Sequence, residues 1–125
     1  MQLPTQVSPS PTNIFALVGK SPESALDDPA LKENFKKLLG DKLGGFRERL
    51  NVSSAISQEG ECLVGQGGMQ HLFSIEEAAF AINSKTSETF AIMLTEGKNI
   101  NWFGTANATS LPAPLQSWYK DHGGN

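Results

Sequence analysis

The spacing of the apolar residues changes near residue 51, and this change limits the possible folds more than any other feature. Over residues 29–39 large apolar side chains recur every three or four positions, which is the spacing of one helix face. From residue 52 onward they alternate with polar residues, which is typical of strands. The turns between these strands are short, and short turns join antiparallel neighbours because parallel strands need long crossovers. Helices followed by such strands predict an α+β domain.

The helical part of the chain predicts one firm helix over residues 29–39, which ends before Gly40. A second, shorter helix is indicated over residues 43–50, although its two glycines each cost about 1 kcal/mol relative to alanine. Residues 13–19 fit either a brief helix or a strand. A short amphipathic segment over residues 115–119 closes the chain.

The alternating part predicts strands separated by polar turns, at residues 52–57, 61–66, 77–83, 88–94 and 99–104. Large apolar residues fall on alternate positions of the last three strands, and we expect them to share one face of the sheet. These residues are Phe80, Ile82, Phe90, Ile92, Ile100 and Trp102.

The length of 125 residues is enough for one domain. Residues 1–13 are rich in Pro, Ser and Thr and predict a flexible tail, so that a single α+β domain occupies residues 14–122. Such a tail is typical of what remains after an export signal is removed, and it fits a frayed cytoplasmic terminus equally well.

Charge and composition exclude several classes of function. Ten basic against thirteen acidic residues give a net charge of -3, so nucleic acid is not an expected partner. No stretch approaches the roughly 20 apolar residues of a transmembrane helix. One cysteine and two histidines supply neither an internal disulfide nor the usual ligands of a structural zinc site. We therefore expect no metal, no cofactor and no transmembrane segment.

No catalytic group is indicated. Glu76 and Glu77 are adjacent, and adjacent side chains of a strand point to opposite faces, so they are poor partners for paired-carboxylate catalysis. Cys62 is best interpreted as a small buried hydrophobe. The glycines of residues 65–68 superficially suggest a phosphate-binding loop, but no lysine and no helix start follow them.

The connection between the strands at residues 61–66 and 77–83 is longer than the usual turn and carries large side chains. Met69, His71, Leu72 and Phe73 all lie in it. A long loop with large side chains near its tip is a candidate recognition element. The alternative is that Leu72, Phe73 and Ile75 fold back and cap the core.

Residues 61–94 resemble the central part of the bacterial lysozyme-inhibitor family Ivy. That family has a strand, a protruding loop with the pattern C-x-x-H-x-C, and two further strands joined by a polar turn. Aligned without a gap, Gly68 and Phe73 fall at the two cysteine positions, and His71 falls at the histidine.

The resemblance implies an antiparallel sheet of about five strands with helices packed on one side. It also implies an exported, periplasmic or secreted non-enzyme, including a lipid-anchored form if a signal has been removed. Its partner would be a lysozyme or another peptidoglycan hydrolase, whose cleft it blocks; an immunity protein against a rival's hydrolase is a variant. The implied partner-binding residues are Gly68, Met69, Gln70, His71, Leu72 and Phe73.

Two features leave a second hypothesis open. The disulfide that closes the family's loop is absent here, and the glycines beside the loop suggest added mobility. The alternative is a non-catalytic module of the same fold that binds another protein or a small ligand. Four aromatic residues are candidates to line its pocket, although core packing is their more usual role: Phe80, Phe90, Trp102 and Phe103.

Overall fold

A computed structural model describes residues 11–124. Most of the predicted tail, residues 1–10, lies outside this range. The four α-helices are α1 (Glu23–Asp27), α2 (Lys32–Leu39), α3 (Leu43–Glu48) and α4 (Ala113–Asp121). The six strands are β1 (Val52–Ser53), β2 (Ser57–Glu59), β3 (Cys62–Gly68), β4 (Glu77–Asn83), β5 (Thr89–Thr95) and β6 (Asn99–Phe103). Short 3-10 helices cover Pro11–Leu17, Gly40–Lys42 and Ala108–Ser110.

All six strands form one antiparallel sheet in the order β1-β3-β4-β5-β6, with β2 also paired to β3. The predicted α+β class and antiparallel sheet are therefore confirmed. The single strand predicted over residues 52–57 is broken, because Ile56 turns into the core and pairs its backbone elsewhere. Its N–H donates to the carbonyl of Lys20 at 2.8 Å, and its own carbonyl accepts from Gly19 at 2.8 Å.

Both faces of the sheet are covered. Helices α1–α3 pack on one face, in a core cluster that contains Leu26, Phe35 and Phe46. Helix α4 packs on the opposite face, where Leu115 and Trp118 belong to a second cluster. The expectation that the helices lie on one side holds for α1–α3 and is wrong for α4.

The strand register places a large side chain beside a small one on each face. Phe80 is directly opposite Ala91, and Ala81 is directly opposite Phe90. Because directly opposite residues point to the same face, Phe80 and Phe90 point to opposite faces. The predicted single face of large residues is therefore wrong: periodicity gives the alternation within a strand but not the register between strands.

The four aromatic residues proposed for a ligand pocket do not form one group. Phe80 is fully buried with the α1–α3 cluster, and Phe103 packs against that same cluster. Phe90 and Trp102 pack against the α4 cluster on the other face. These four side chains therefore pack in the two hydrophobic cores on opposite faces of the sheet and do not line a common pocket.

Candidate recognition loop

The connection between β3 and β4, residues 69–76, is referred to below as the His71 loop. It begins after Gly68 and ends before Glu77, and these two residues are paired across the strands. The N–H of Met69 donates to the carbonyl of Glu76 at 3.0 Å and closes the base of the loop. Inside it, the N–H of Leu72 donates to the carbonyl of Met69 at 2.9 Å. The loop is thus a compact turn with its own backbone hydrogen bonds.

The glycines expected to loosen this loop belong instead to strand β3. A Cβ at Gly65 would collide with the ring of Phe80, which is the residue paired with it on β4. No side chain fits there while the ring of Phe80 lies against the strand. Close packing against Phe80 therefore accounts for Gly65, and the glycines lie in β3 and not within the loop itself.

His71 lies in the outer part of the loop and is exposed to solvent, as is Gln70 beside it. The backbone of His71 is left-handed, with φ of 66°. Histidine, asparagine and aspartate are the side chains that tolerate this conformation best after glycine. The loop therefore presents the imidazole outward from a sharp turn.

Apolar side chains flank His71 on the surface. Phe73 is 51% exposed and Ile75 is 43% exposed, while Met69 and Leu72 are half-buried. Phe73 and Ile75 lie outside both core clusters. The alternative in which they fold back to cap the core is therefore wrong for these two residues.

Phe73 and Gly68, which the resemblance aligns with the two cysteines of the loop pattern, lie against each other. A Cβ at Gly68 would be 3.3 Å from Cδ1 of Phe73. The aromatic ring thus covers the strand where glycine leaves room for it. This contact holds the middle of the loop against the end of β3 without a covalent bond.

Glu76 and Glu77 fix the base of the loop to opposite sides of the molecule, as the alternation predicted. Oε1 of Glu76 lies 2.5 Å from Nη2 of Arg49, which follows α3. Its Oε2 accepts from the N–H of Glu96 at 3.1 Å, in the turn between β5 and β6. One carboxylate thus ties the loop to both α3 and the neighbouring turn.

Glu77 makes the corresponding contacts on the α4 face. Its Oε1 is 2.7 Å from Nε2 of His122, which caps α4. Its Oε2 accepts from the N–H of Ser74, within the loop, at 2.5 Å. Ser74 is the second left-handed residue of the loop, with φ of 70°.

His122, Ser74 and Arg49 also belong to this site, and no pattern in the sequence predicted them. His122 is 45 positions from Glu77 in the sequence, and local patterns do not predict a contact between residues so far apart. The adjacency of Glu76 and Glu77 at the start of a strand was the one available signal. Adjacent side chains point to opposite faces of the sheet, so each carboxylate needs a polar partner when both faces are covered.

A cavity of about 250 Å³ lies beside the loop, between it and the edge of the sheet. Val52, Gln66, Phe73 and Glu77 contribute to its lining. Val52 is also an exposed apolar residue. The loop and this cavity together form a continuous surface of mixed apolar and polar character.

Cys62 lies at the other end of β3 and is buried, as predicted. Burial raises the pKa of its thiol, and the nearby carboxylates of Glu61 and Glu59 raise it further. A thiol of raised pKa is a poor nucleophile at neutral pH. Within residues 11–124, no three His, Cys, Asp or Glu side chains are grouped closely enough to hold a metal ion.

The fold is a small α+β domain, and the exposed His71 loop projects from the end of its sheet. The sequence model of one family, Inhibitor of vertebrate lysozyme (Ivy), matches residues 30–124. The chain therefore belongs to the Ivy family. No curated protein and no solved structure matches it. Among the described residues, no helix has both the length and the apolar character needed to cross a bilayer.

Proposed function

We propose that this protein inhibits a lysozyme or a related peptidoglycan hydrolase by inserting the His71 loop into the substrate cleft. Membership of a family described as lysozyme inhibitors supports the activity. The observation that carries the loop mechanism is the exposed, left-handed His71 in a loop held on both sides of its base.

The chemistry of the loop matches that of a glycan-cleaving site. Most glycosidases place two carboxyl groups on either side of the scissile bond. An imidazole N–H that enters the cleft donates a hydrogen bond to one of these carboxylates, while Phe73 and Ile75 pack on apolar walls that normally contact sugar rings. Steric occlusion and the hydrogen bond together keep the substrate out.

Order in the loop raises the affinity expected of such a contact. A loop that is already structured loses less conformational entropy on binding. The net charge of -3 also favours encounter with a basic hydrolase, because opposite charges steer association. An exported protein, in the periplasm or secreted, would meet such enzymes, and this location belongs to the proposal.

The test is residual hydrolysis of cell-wall substrate by animal and bacterial lysozymes titrated with the purified protein. His71→Asn is the informative variant, since asparagine tolerates the left-handed backbone and lacks the imidazole. Loss of a buried hydrogen bond to a charged group weakens inhibition by roughly 30-fold or more.

The matched control is Lys85→Asn, because Lys85 is exposed in the turn at the opposite end of β4. Inhibition that survives His71→Asn unchanged contradicts the loop mechanism. Absence of inhibition by the wild-type protein across the whole panel favours the alternative, a module of this fold that binds another protein or a small ligand.

A further inference from the structure

Glu77 is the one side chain within residues 11–124 that hydrogen-bonds both to the His71 loop and to the residue that caps helix α4. Both of its carboxylate oxygens are engaged: Oε1 lies 2.7 Å from Nε2 of His122, and Oε2 lies 2.5 Å from the N–H of Ser74. Glu77 and His122 are both largely shielded from solvent. Partial burial strengthens the hydrogen bond between Glu77 and His122, and the negative charge of the carboxylate strengthens the bond from Ser74.

His122 is in turn held in place by the second core. Its Nδ1 lies 2.7 Å from the carbonyl oxygen of Trp118. Its ring stacks on the indole of Trp118, with centroids 3.7 Å apart and planes inclined by 18°. Trp118 is buried among the residues between α4 and the sheet. A continuous chain of contacts therefore runs from that core through His122 and Glu77 to Ser74.

The contact between Glu77 and Ser74 stabilises a residue with an unfavourable backbone conformation. Ser74 has a left-handed backbone, and a serine gains nothing intrinsic from that conformation. A charged acceptor on its N–H offsets that cost and selects one conformation of the turn. Glu76 does not supply this restraint, because its partners are Arg49 and the N–H of Glu96, both outside the loop.

We propose that Glu77 and His122 are positioning residues of the His71 loop, so that helix α4 sets the conformation in which the imidazole of His71 is presented. This inference rests on the proposed function for its effect on inhibition. The positioning itself is a property of the free protein. No atom of Glu77 or His122 needs to touch the partner for the effect to occur.

The experiment compares Glu77→Leu with Glu77→Gln. Leucine keeps approximate volume and removes both acceptors. Glutamine keeps an oxygen for the N–H of Ser74 and offers an N–H to His122, so it preserves the geometry without the charge. We expect Glu77→Leu to raise the inhibition constant and the amide exchange rate of Ser74 roughly tenfold. We expect Glu77→Gln to retain both within about threefold of wild type.

Glu88→Leu is the matched control, because it removes an exposed carboxylate at the other end of the sheet. It should leave both readouts at the wild-type value. His122→Phe keeps a ring on Trp118 but lacks Nε2, and its effect should be non-additive with that of Glu77→Leu.

The inference is overturned if Glu77→Leu leaves the exchange of Ser74 unchanged, or if Glu77→Gln behaves like Glu77→Leu. Exchange is measured on the free protein, so its outcome is independent of any lysozyme. If the wild-type protein inhibits no enzyme while Ser74 responds as predicted, the proposed function fails and the positioning role stands.

Discussion

Replacing Arg49 with methionine should destabilise the domain far more than removing any exposed cation. The guanidinium of Arg49 donates to the carbonyls of Gly45 at 2.8 Å and Leu94 at 3.2 Å, besides its 2.5 Å contact with Glu76. The side chains of Arg49 and Glu76 are only 13% and 16% exposed. Arg49→Met leaves the carboxylate of Glu76 shielded and without its cation.

The expected cost follows from that burial. Removing one partner of a buried ion pair costs about 3 kcal/mol, at the lower end because these two groups keep some solvent contact. For a domain of this size each kcal/mol corresponds to about 4 °C, so the melting temperature should fall by about 12 °C. The assay is thermal unfolding followed by circular dichroism, supported by urea titration.

Two further variants separate the ion pair from general damage. Lys85→Met breaks a pair with Glu61 whose side chains are 73% and 58% exposed, and it should cost about 0.5 kcal/mol or less. Glu76→Gln removes the unpaired charge, so the double variant with Arg49→Met should be more stable than the sum of the single effects by about 1 kcal/mol. An Arg49→Met protein that melts no lower than Lys85→Met would refute the reasoning.

Three other outcomes are expected. Gly65→Ala should lower the free energy of unfolding by about 2 kcal/mol, because the added Cβ meets the buried ring of Phe80. In denaturant titrations, the double variant with Phe80→Leu should be more stable than the sum of the two single effects predicts. Simple additivity of the two effects would contradict this packing argument. Because the pKa of the Cys62 thiol is raised, this thiol should resist iodoacetamide at pH 7 in the folded protein and react in denaturant. The folded state holds the thiol proton more tightly than the unfolded state, so the free energy of unfolding should fall as the pH rises through the alkaline range. Rapid labelling of the folded protein at pH 7 would contradict the raised pKa on which both expectations rest. Cysteines at Gly68 and Phe73 should form a bridge under oxidation, detected by mass spectrometry, because the ring of Phe73 lies against Gly68 and brings the two positions close together. Two thiols that stay free under oxidation would contradict this proximity.

Local signals in the sequence were sufficient for the class of fold and for most of its elements. The predicted helix over residues 29–39 is confirmed in its main part as Lys32–Leu39, and the short helix after it forms despite two glycines. Residues 13–19, which fitted a helix or a strand, belong mainly to a 3-10 helix that ends at Leu17. Helical stripes, alternation and turn residues act within a few positions, so a single sequence contains them.

Contacts between distant segments were the part that could not be predicted. Alternation fixed which residues of β4 share a face, but only the register of β4 against β5 places Phe80 beside Ala91 and Phe90 beside Ala81. The face chosen by α4 depends in the same way on tertiary packing.

The loop shows the same division. The length of the connection and its large side chains predicted the loop, and the family resemblance singled out His71, whereas the left-handed backbone of His71 has no signal in an isolated sequence. The link from Ser74 through Glu77 to His122 depends on where α4 packs, 45 residues beyond Glu77. The sequence therefore pointed to the candidate loop but not to the groups that hold it.

Competition for the cleft tests the central claim most directly. Titration calorimetry would measure the affinity of the wild-type protein for the lysozyme that the inhibition panel identifies as its strongest target, with and without a short N-acetylglucosamine oligosaccharide bound in the cleft. A loop that occupies the cleft should bind with an apparent affinity that falls in proportion to oligosaccharide occupancy. An affinity that stays constant under saturating oligosaccharide would contradict the account, because the His71 loop would then lie elsewhere.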